Sequence, residues 1–201
     1  MQKFTSLDAV ALPLGLSNVD TDQIIPARFL RKSRTDGLAA YLFHDLRFNG
    51  DGSENPTFLL NRASYRDARI IVADRNFGCG SSREHAVWAL WDYGFRVAIA
   101  PSFSDIFSNN CYQNGFLPVV VSPVQAAEWR RQLDGAPGTH MSVDLKAQRI
   151  VGPDGVAIDF EIDSFRKHCL LSGLDDIGFT LELGDAVAAF EKEYRRDMTW
   201  L

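Results

Sequence analysis

"RIIVADRNFGCGSSREHAVWALWDYGFRVAIA", residues 69–100, decides the fold that we predict for this chain. It starts with a short apolar run rich in β-branched residues, 69–73, which is typical of a buried strand. After a glycine-rich loop, apolar residues recur at helical spacing over 84–93, and Gly94 is placed to end that helix in the left-handed conformation. A second buried strand is predicted over 96–100. The stretch is therefore a strand, loop, helix and strand in succession.

The same alternation continues towards the C-terminus. We predict a short helix within 101–115, a strand at 117–122 and a helix at 123–133. This order favours right-handed crossovers and a mostly parallel core sheet with flanking helices. Residues 141–162 then alternate apolar and polar on both sides of "GPDG", a pattern typical of an antiparallel hairpin with one solvated face. The predicted fold class is α/β with an added antiparallel hairpin.

Two further segments have distinct patterns. Residues 31–55 mix charges, glycines and aromatics without sustained periodicity, and a long loop of this kind inside a compact domain is usually functional or disordered. We interpret it as a substrate-facing loop. Residues 185–201 carry apolar side chains at helical spacing with arginines late in the segment, which predicts a C-terminal helical tail.

Composition excludes several classes of function. The 201 residues are 46% hydrophobic, enough to bury a core, and the formal net charge of -5 argues against nucleic-acid binding. No stretch approaches the length of a membrane span, and the N-terminus lacks the pattern of a signal peptide, so we expect a soluble protein. The three cysteines show no C-x-x-C pair, which favours free thiols in a reducing cytoplasm and gives no reason to assign a metal to this chain.

The glycine-serine loop at 78–84 has two interpretations. Ser81 and Glu84 match S-x-x-E, the capping box of a helix N-terminus. A cap does not require Gly78 or Gly80, however, whereas a backbone that approaches a ligand closely does. The second interpretation is therefore an anion seat made of backbone N–H groups, to which Arg83 adds a guanidinium suited to a carboxylate.

Comparison with three known motifs limits the kinds of site that this second interpretation allows. The loop lacks the last glycine of G-x-G-x-x-G, the Gly-Lys-Ser/Thr ending of a P-loop and the G-x-S-x-G of a nucleophile elbow. A serine could also act as a base here, but its hydroxyl is a very weak acid. That role requires preorganised N–H donors and a nearby cation, both of which this loop offers.

Four ordered blocks, residues 18–30, 76–86, 99–119 and 168–181, together closely resemble the small-subunit family of 3-isopropylmalate dehydratase in the aconitase superfamily. The resemblance covers almost the whole chain. It implies one swivelling β/β/α domain over 1–201 that works with a separate large subunit, which holds a 4Fe-4S cluster, and it implies no cofactor in this chain. The family's reaction isomerises 2-isopropylmalate and 3-isopropylmalate by dehydration and rehydration, in leucine biosynthesis.

The resemblance also implies roles for individual residues. Ser81 would be the base that removes the proton beside a substrate carboxylate, and Arg83 would bind a carboxylate, with Ser82 and Gly80 lining the same substrate-binding turn. Asp22 matches an aspartate at the edge of the active site that is expected to pair with a histidine of the large subunit. The alternative for Asp22 is a simple turn-capping role.

The family's substrate-selecting loop falls near 31–45, where Tyr41 and Leu42 could contact the isopropyl group. An apolar lining favours isopropylmalate, but three basic residues could accommodate an additional carboxylate: Arg31, Lys32 and Arg34. A related hydro-lyase subunit, of the homoaconitase or citraconate type, is therefore an alternative. A non-catalytic carboxylate-binding module is the alternative from another class.

Overall fold

A computed structural model of the chain describes residues 1–33, 35, 37–81 and 83–198. Within them, seven strands form one sheet in the order β4-β3-β2-β1-β5-β6-β7. The strands are β1 Ser6–Leu14, β2 Ile70–Ala73, β3 Val97–Ala100, β4 Leu117–Val120, β5 His140–Asp144, β6 Arg149–Val151 and β7 Ala157–Asp159.

Eight α-helices accompany the sheet in the described part of the chain. They are α1 Thr21–Ile24, α2 His44–Arg47, α3 His85–Tyr93, α4 Asp105–Gln113, α5 Pro123–Gly135, α6 Ser164–Ser172, α7 Asp176–Glu182 and α8 Gly184–Asp197. Short 3₁₀ turns occupy Ala27–Phe29, Ala39–Tyr41, Leu59–Asn61 and Ala63–Tyr65. Gly94 ends α3 with φ of 117°, and its N–H donates to the carbonyls of Leu90 and Trp91. The predicted strand, helix and strand of residues 69–100 are confirmed.

The sheet has a parallel half and an antiparallel half. Strands β1, β2, β3 and β4 are parallel, with Leu12 opposite Ile71 and Ile71 opposite Ala98. The predicted hairpin around "GPDG" is confirmed as β6 and β7. It is not a separate layer, however, because β5 pairs with both β6 and β1 and so joins the hairpin to the parallel half.

The central strand β1 is the main element that the sequence patterns did not predict. Its burial does not alternate, because its last four residues are all buried while its first half is partly exposed. That half pairs with β5 and the second half with β2, so one strand serves both halves of the sheet. A pattern that changes within nine residues matches neither the alternating nor the continuous apolar template.

Each face of the sheet carries its own core. Leu12 and Leu14 of β1 pack with Ile71 and with the buried face of α3. On the other face, Ala11 packs with side chains of β2, β3 and α5, including Trp129. Residues of one strand alternate between the faces, so β1, β2 and β3 each contribute to both cores.

Parallel strands β1 and β2 end at the same edge of the sheet. The loops that follow them, 15–20 and 74–84, therefore start side by side, since Leu14 is opposite Ala73 at the last paired position. Clefts beyond the carboxyl ends of strands are the usual ligand sites of α/β sheets. This edge holds the glycine-serine loop.

The C-terminal tail forms helix α8, as predicted. None of its residues is buried, and Phe190 is 64% exposed. Across the described residues, no helix has the length and apolar character needed to cross a membrane.

Leu12→Ala should lower the free energy of unfolding by about 2–5 kcal/mol, because Leu12 is fully buried at the centre of the sheet. Leu16→Ala is the matched control, since Leu16 lies just beyond β1 and is 41% exposed. Urea denaturation of both variants measures the difference. Equal losses of stability would contradict the central position of β1.

Candidate active site

Backbone hydrogen bonds join the loops that follow β1 and β2. The N–H groups of Gly78 and Cys79 donate to the carbonyl of Val19, over 2.8 and 3.2 Å. The N–H of Thr21 donates to the carbonyl of Cys79 over 2.9 Å, and Asp20 and Cys79 form an isolated parallel bridge. The pairing of β1 and β2 thus continues past the ends of both strands and brings helix α1 beside the glycine-serine loop.

Asp20, rather than Asp22, caps helix α1. The Asp20 carboxylate accepts a hydrogen bond from the N–H of Gln23 over 2.7 Å, and the Gln23 side chain accepts one from the N–H of Asp20 over 3.1 Å. This is a capping box, and its D-x-x-Q spacing was visible in the sequence. The turn-capping interpretation of Asp22 is therefore wrong. Asp22 lies in the first turn of α1 with its side chain 51% exposed.

The capping box predicted for Ser81 and Glu84 is also wrong. Helix α3 starts at His85, and its N-cap residue Glu84 makes no side-chain capping bond. The Glu84 carboxylate instead accepts a hydrogen bond from the side-chain amide of Asn114 over 2.7 Å. Ser81 lies before the start of the helix and is exposed.

Hydrogen bonds to its carbonyl fix the backbone at Ser81. That carbonyl accepts from the hydroxyl of Thr21 over 3.1 Å and from the N–H of Arg83 over 2.8 Å. The N–H groups of Gly80 and Ser81 donate to no acceptor among the residues described. The turn is thus held from its carbonyl side and leaves two N–H donors available beside an exposed hydroxyl.

The packing and backbone conformation of the loops already favour glycine at positions 78 and 80, whether or not a ligand binds nearby. Both have positive φ, 74° and 93°. A Cβ added at Gly78 would lie 2.2 Å from the ring of Phe107, and one at Gly80 would lie 3.3 Å from the Cβ of Asp20. Close approach to a ligand is therefore not needed to explain these two glycines, because the joined loops already favour them.

Arg83 and Asp22 form an ion pair across the two loops. Nη1 of Arg83 donates to Oδ1 of Asp22, and the Arg83 side chain is 24% exposed. The structure thus brings together Ser81, Arg83, Asp22 and Gly80 at one open edge of the sheet. The fifth residue predicted at this turn, Ser82, lies outside the described residues, as does Arg34 in the predicted substrate-selecting loop.

The described part of the 31–45 segment packs against α1 and α3. The N–H of Phe43 donates to the carbonyl of Ile24 over 2.7 Å, and the N–H of Leu38 donates to the carboxylate of Asp92 over 2.8 Å. Leu42 is fully buried in the core. Tyr41 is only partly buried, and its ring stacks on Phe29 with centroids 4.3 Å apart.

Asp45 holds the end of this segment through Arg28. The guanidinium of Arg28 donates to both carboxylate oxygens of Asp45, and His44 lies beside them. The hydrogen bonds from Arg28 lower the pKa of the Asp45 carboxyl to about 2. No local pattern indicates this pair, whose members are 17 residues apart in the sequence.

The cysteines are free thiols and do not converge. Cys111 on α4 and Cys169 on α6 are buried, and Cys79 is half-buried in the active-site loop. Burial raises the pKa of all three thiols, that of Cys111 furthest. Among the residues that the structure describes, no group of three His, Cys, Asp or Glu side chains could hold a metal ion.

Gly78→Ala should destabilise the protein more than Gly155→Ala. The two glycines have nearly equal φ, 74° and 76°, but nothing lies within 4 Å of a Cβ added at Gly155. The backbone strain is thus matched at about 1–2 kcal/mol, and the clash with Phe107 adds about 1–3 kcal/mol at Gly78. Thermal or urea unfolding measures both variants. Equal destabilisation would show that the Phe107 contact costs nothing.

Asp45→Asn should destabilise the protein slightly at neutral pH and not at low pH. Because the folded-state pKa lies below the ordinary 3.8, the stabilisation from ionised Asp45 is present above about pH 4 and is lost as the pH falls towards about 2. The effect is small because both partners are more than half exposed. Unfolding at several pH values measures it. Arg28→Gln should raise the Asp45 pKa, and an unchanged NMR titration in that variant would contradict the pairing.

Three family models together match most of the chain. The Aconitase C-terminal domain family matches residues 1–124. LeuD_N matches residues 127–164, and the C-terminal domain of the 3-isopropylmalate dehydratase small subunit matches residues 176–201.

Individual relatives match the chain end to end. 3-isopropylmalate dehydratase small subunits from Jannaschia sp. (strain CCS1) and Azorhizobium caulinodans are 53% and 52% identical over 201 residues, covering all of both chains. A crystal structure of 3-isopropylmalate dehydratase from Methanocaldococcus jannaschii matches with a TM-score of 0.65 at 26% identity, covering 92% of this chain and 99% of that one. The chain therefore belongs to the family of 3-isopropylmalate dehydratase small subunits, whose enzyme is a hydro-lyase.

Proposed function

We propose that this chain contributes the base and a carboxylate anchor to the isomerisation of 2-isopropylmalate and 3-isopropylmalate by dehydration and rehydration. In this proposal Ser81 removes the proton beside a substrate carboxylate and Arg83 binds that carboxylate. One observation carries it: the exposed Ser81 hydroxyl lies on the same open turn as the guanidinium of Arg83. The related hydro-lyases and the non-catalytic module are set aside by the family assignment.

The turn supports proton removal by a serine for an electrostatic reason. Deprotonating a carbon beside a carboxylate places a second negative charge on that group, and fixed donors lower the free energy of such a state. The N–H groups of Gly80 and Ser81 have no acceptor among the described residues, and the turn is already fixed through the Ser81 carbonyl. These donors need little reorganisation to stabilise negative charge. We also propose that Ser82 lines the same substrate-binding turn.

Arg83 can hold a substrate carboxylate while it keeps its contact with Asp22. A guanidinium has five N–H donors, and only Nη1 is used by Asp22. The remaining edge suits a carboxylate in bidentate geometry. Asp22 would then orient the guanidinium, and its half-exposed carboxylate would pair with a histidine of the large subunit.

The large subunit follows from the family's two-subunit enzyme, and we propose that the 4Fe-4S cluster belongs to it. The cysteines of this chain do not fit such a cluster, because Cys111 and Cys169 are buried on separate helices and Cys79 is in a loop. The reaction proposed for this chain is therefore limited to binding, orientation and proton transfer by its own residues. Free thiols also favour a reducing compartment, the cytoplasm.

For the substrate's isopropyl group, we propose Tyr41 as an apolar contact. Its ring is partly buried and stacked on Phe29. Leu42 is fully buried in this conformation, so it supports the segment from the core side, and its direct contact with substrate stays a prediction. Arg31 and Lys32 are exposed at the edge of the segment, where they would suit a substrate with an additional carboxylate.

Ser81→Ala should reduce kcat of the reconstituted two-subunit enzyme by about 10²–10⁴-fold with little change in KM, because a general base acts in the transition state rather than in substrate binding. The measurement is turnover of isopropylmalate, with homoaconitate and citraconate as competing substrates. Ser64→Ala, an exposed serine without a side-chain hydrogen bond among the described residues, is the matched control.

Co-purification with the large subunit accompanies each assay, because a variant that no longer assembles would also lose activity. An unchanged kcat in an assembled Ser81→Ala enzyme would show that Ser81 has no role in the chemical step. Equal loss in Ser64→Ala would assign the effect to folding or assembly.

A further inference from the structure

A second concave site lies at the opposite edge of the sheet. A cavity of about 550 Å³ is lined by residues 2–7, by the C-terminal end of α3 and by residues that immediately precede β2 and β3. Parallel strands start at this edge and end at the edge that holds Ser81. The cavity is thus separated from the candidate active site by the length of the strands.

Two guanidinium groups line this cavity without a carboxylate partner. Arg96 lies 3.6 Å above the centroid of the Trp91 ring, and its Nη1 donates to the carbonyls of Trp91 and Phe95, both over 2.8 Å. Arg69 donates from Nη1 to the carbonyl of Ala68 over 3.1 Å. Among the described residues, neither arginine has a carboxylate oxygen within 4 Å. Their positions are fixed, and among the described residues a charge interaction with Asp92 opposes part of the lowering of the Arg96 pKa.

The backbone brings these two arginines together. Arg96 donates its N–H to the carbonyl of Arg69 over 2.9 Å, because the residues precede adjacent strands. The Arg69 guanidinium packs on Gly94, where an added Cβ would lie 2.7 Å from Nη1. Burial, with a smaller contribution from the neighbouring Arg69, lowers the pKa of Arg96. An anion close to the guanidinium would oppose both effects, because it favours the charged form of Arg96.

The charge balance of the cavity is positive although the whole chain is negative. Lys3, Arg69 and Arg96 line it with a single carboxylate among the described residues, that of Asp92. One oxygen of Asp92 accepts the N–H of Leu38 over 2.8 Å, so that carboxylate is committed in part to the 31–45 segment. A fixed pair of guanidinium groups suits a planar or tetrahedral oxyanion.

We propose that the cavity formed by Lys3, Arg69, Trp91 and Arg96 is a binding site for a small dianion, either a dicarboxylate or a phosphate. The occupant bridges the two guanidinium groups, with the Lys3 ammonium at the mouth. The site is independent of the turn at Ser81 and Arg83. It requires no new protein charge to be buried, since both guanidinium groups are already held in place.

Titration of the full chain with inorganic phosphate or with succinate tests this, with sodium chloride at equal ionic strength as the reference. Backbone NMR of the wild-type protein should show shifts at Arg69, Trp91 and Arg96 that saturate with the dianion and not with chloride. The two dianions distinguish a phosphate site from a carboxylate site by their dissociation constants. Shifts confined to the turn at Gly80 and Arg83, or equal shifts with chloride, would overturn the proposal.

A second test measures by calorimetry how tightly variants of the protein bind the dianion. Arg69→Gln and Lys3→Gln should each raise the dissociation constant, Arg69→Gln by roughly tenfold or more, because a charge-assisted hydrogen bond is lost. Arg149→Gln, which removes an exposed arginine that does not line the cavity, should leave it unchanged. Lys3 is exposed, so its variant tests the site even where an arginine variant fails to fold. Unchanged affinity in Lys3→Gln and Arg69→Gln would contradict the proposal.

Discussion

The candidate active site depends on one constraint, the continuation of β1–β2 pairing beyond the ends of the strands. Val19, Thr21 and Cys79 exchange backbone hydrogen bonds after the ladder itself has stopped at Leu14 and Ala73. These bonds place a serine turn from one loop against a short helix from the other. Asp22 and Arg83 are 61 residues apart in sequence, and they meet because the backbones of their two loops are already joined.

This constraint also explains the composition of the turn. With the loops this close, the Phe107 ring excludes a side chain at Gly78, while the positive φ of Gly80 and its tight approach to Asp20 disfavour one there. Among the described residues, the polar groups of the turn include two N–H donors, the Ser81 hydroxyl and the Arg83 guanidinium, which pairs with Asp22. Closeness of two protein segments thus produces the donor-rich surface that a carboxylate requires.

Local patterns in the sequence predicted the parts of this structure that repeat regularly. The helix over 84–93, its glycine cap at Gly94 and the strands around it follow from local spacing, and the structure has all of them. Strand β1 was missed because its neighbours differ along its length, so its pattern of burial follows no single period. The Arg28 and Asp45 pair was missed because a contact between distant residues leaves no local signal.

At the site itself, residue types were predicted better than hydrogen-bond partners. The S-x-x-E spacing of Ser81 and Glu84 matched a capping box that does not form, while the D-x-x-Q spacing of Asp20 and Gln23 matched one that does. Local sequence cannot separate these cases, because the outcome depends on where each helix starts. In α3 the Glu84 carboxylate is bound by Asn114 at the end of α4 rather than by its own helix. The Glu84 carboxylate is thus not in the capping box with Ser81, and Ser81 lies before the start of the helix and is exposed. The hydrogen bond from Asn114 to Glu84 joins residues 30 positions apart, so the local spacing of Ser81 and Glu84 could not reveal that the capping box is absent.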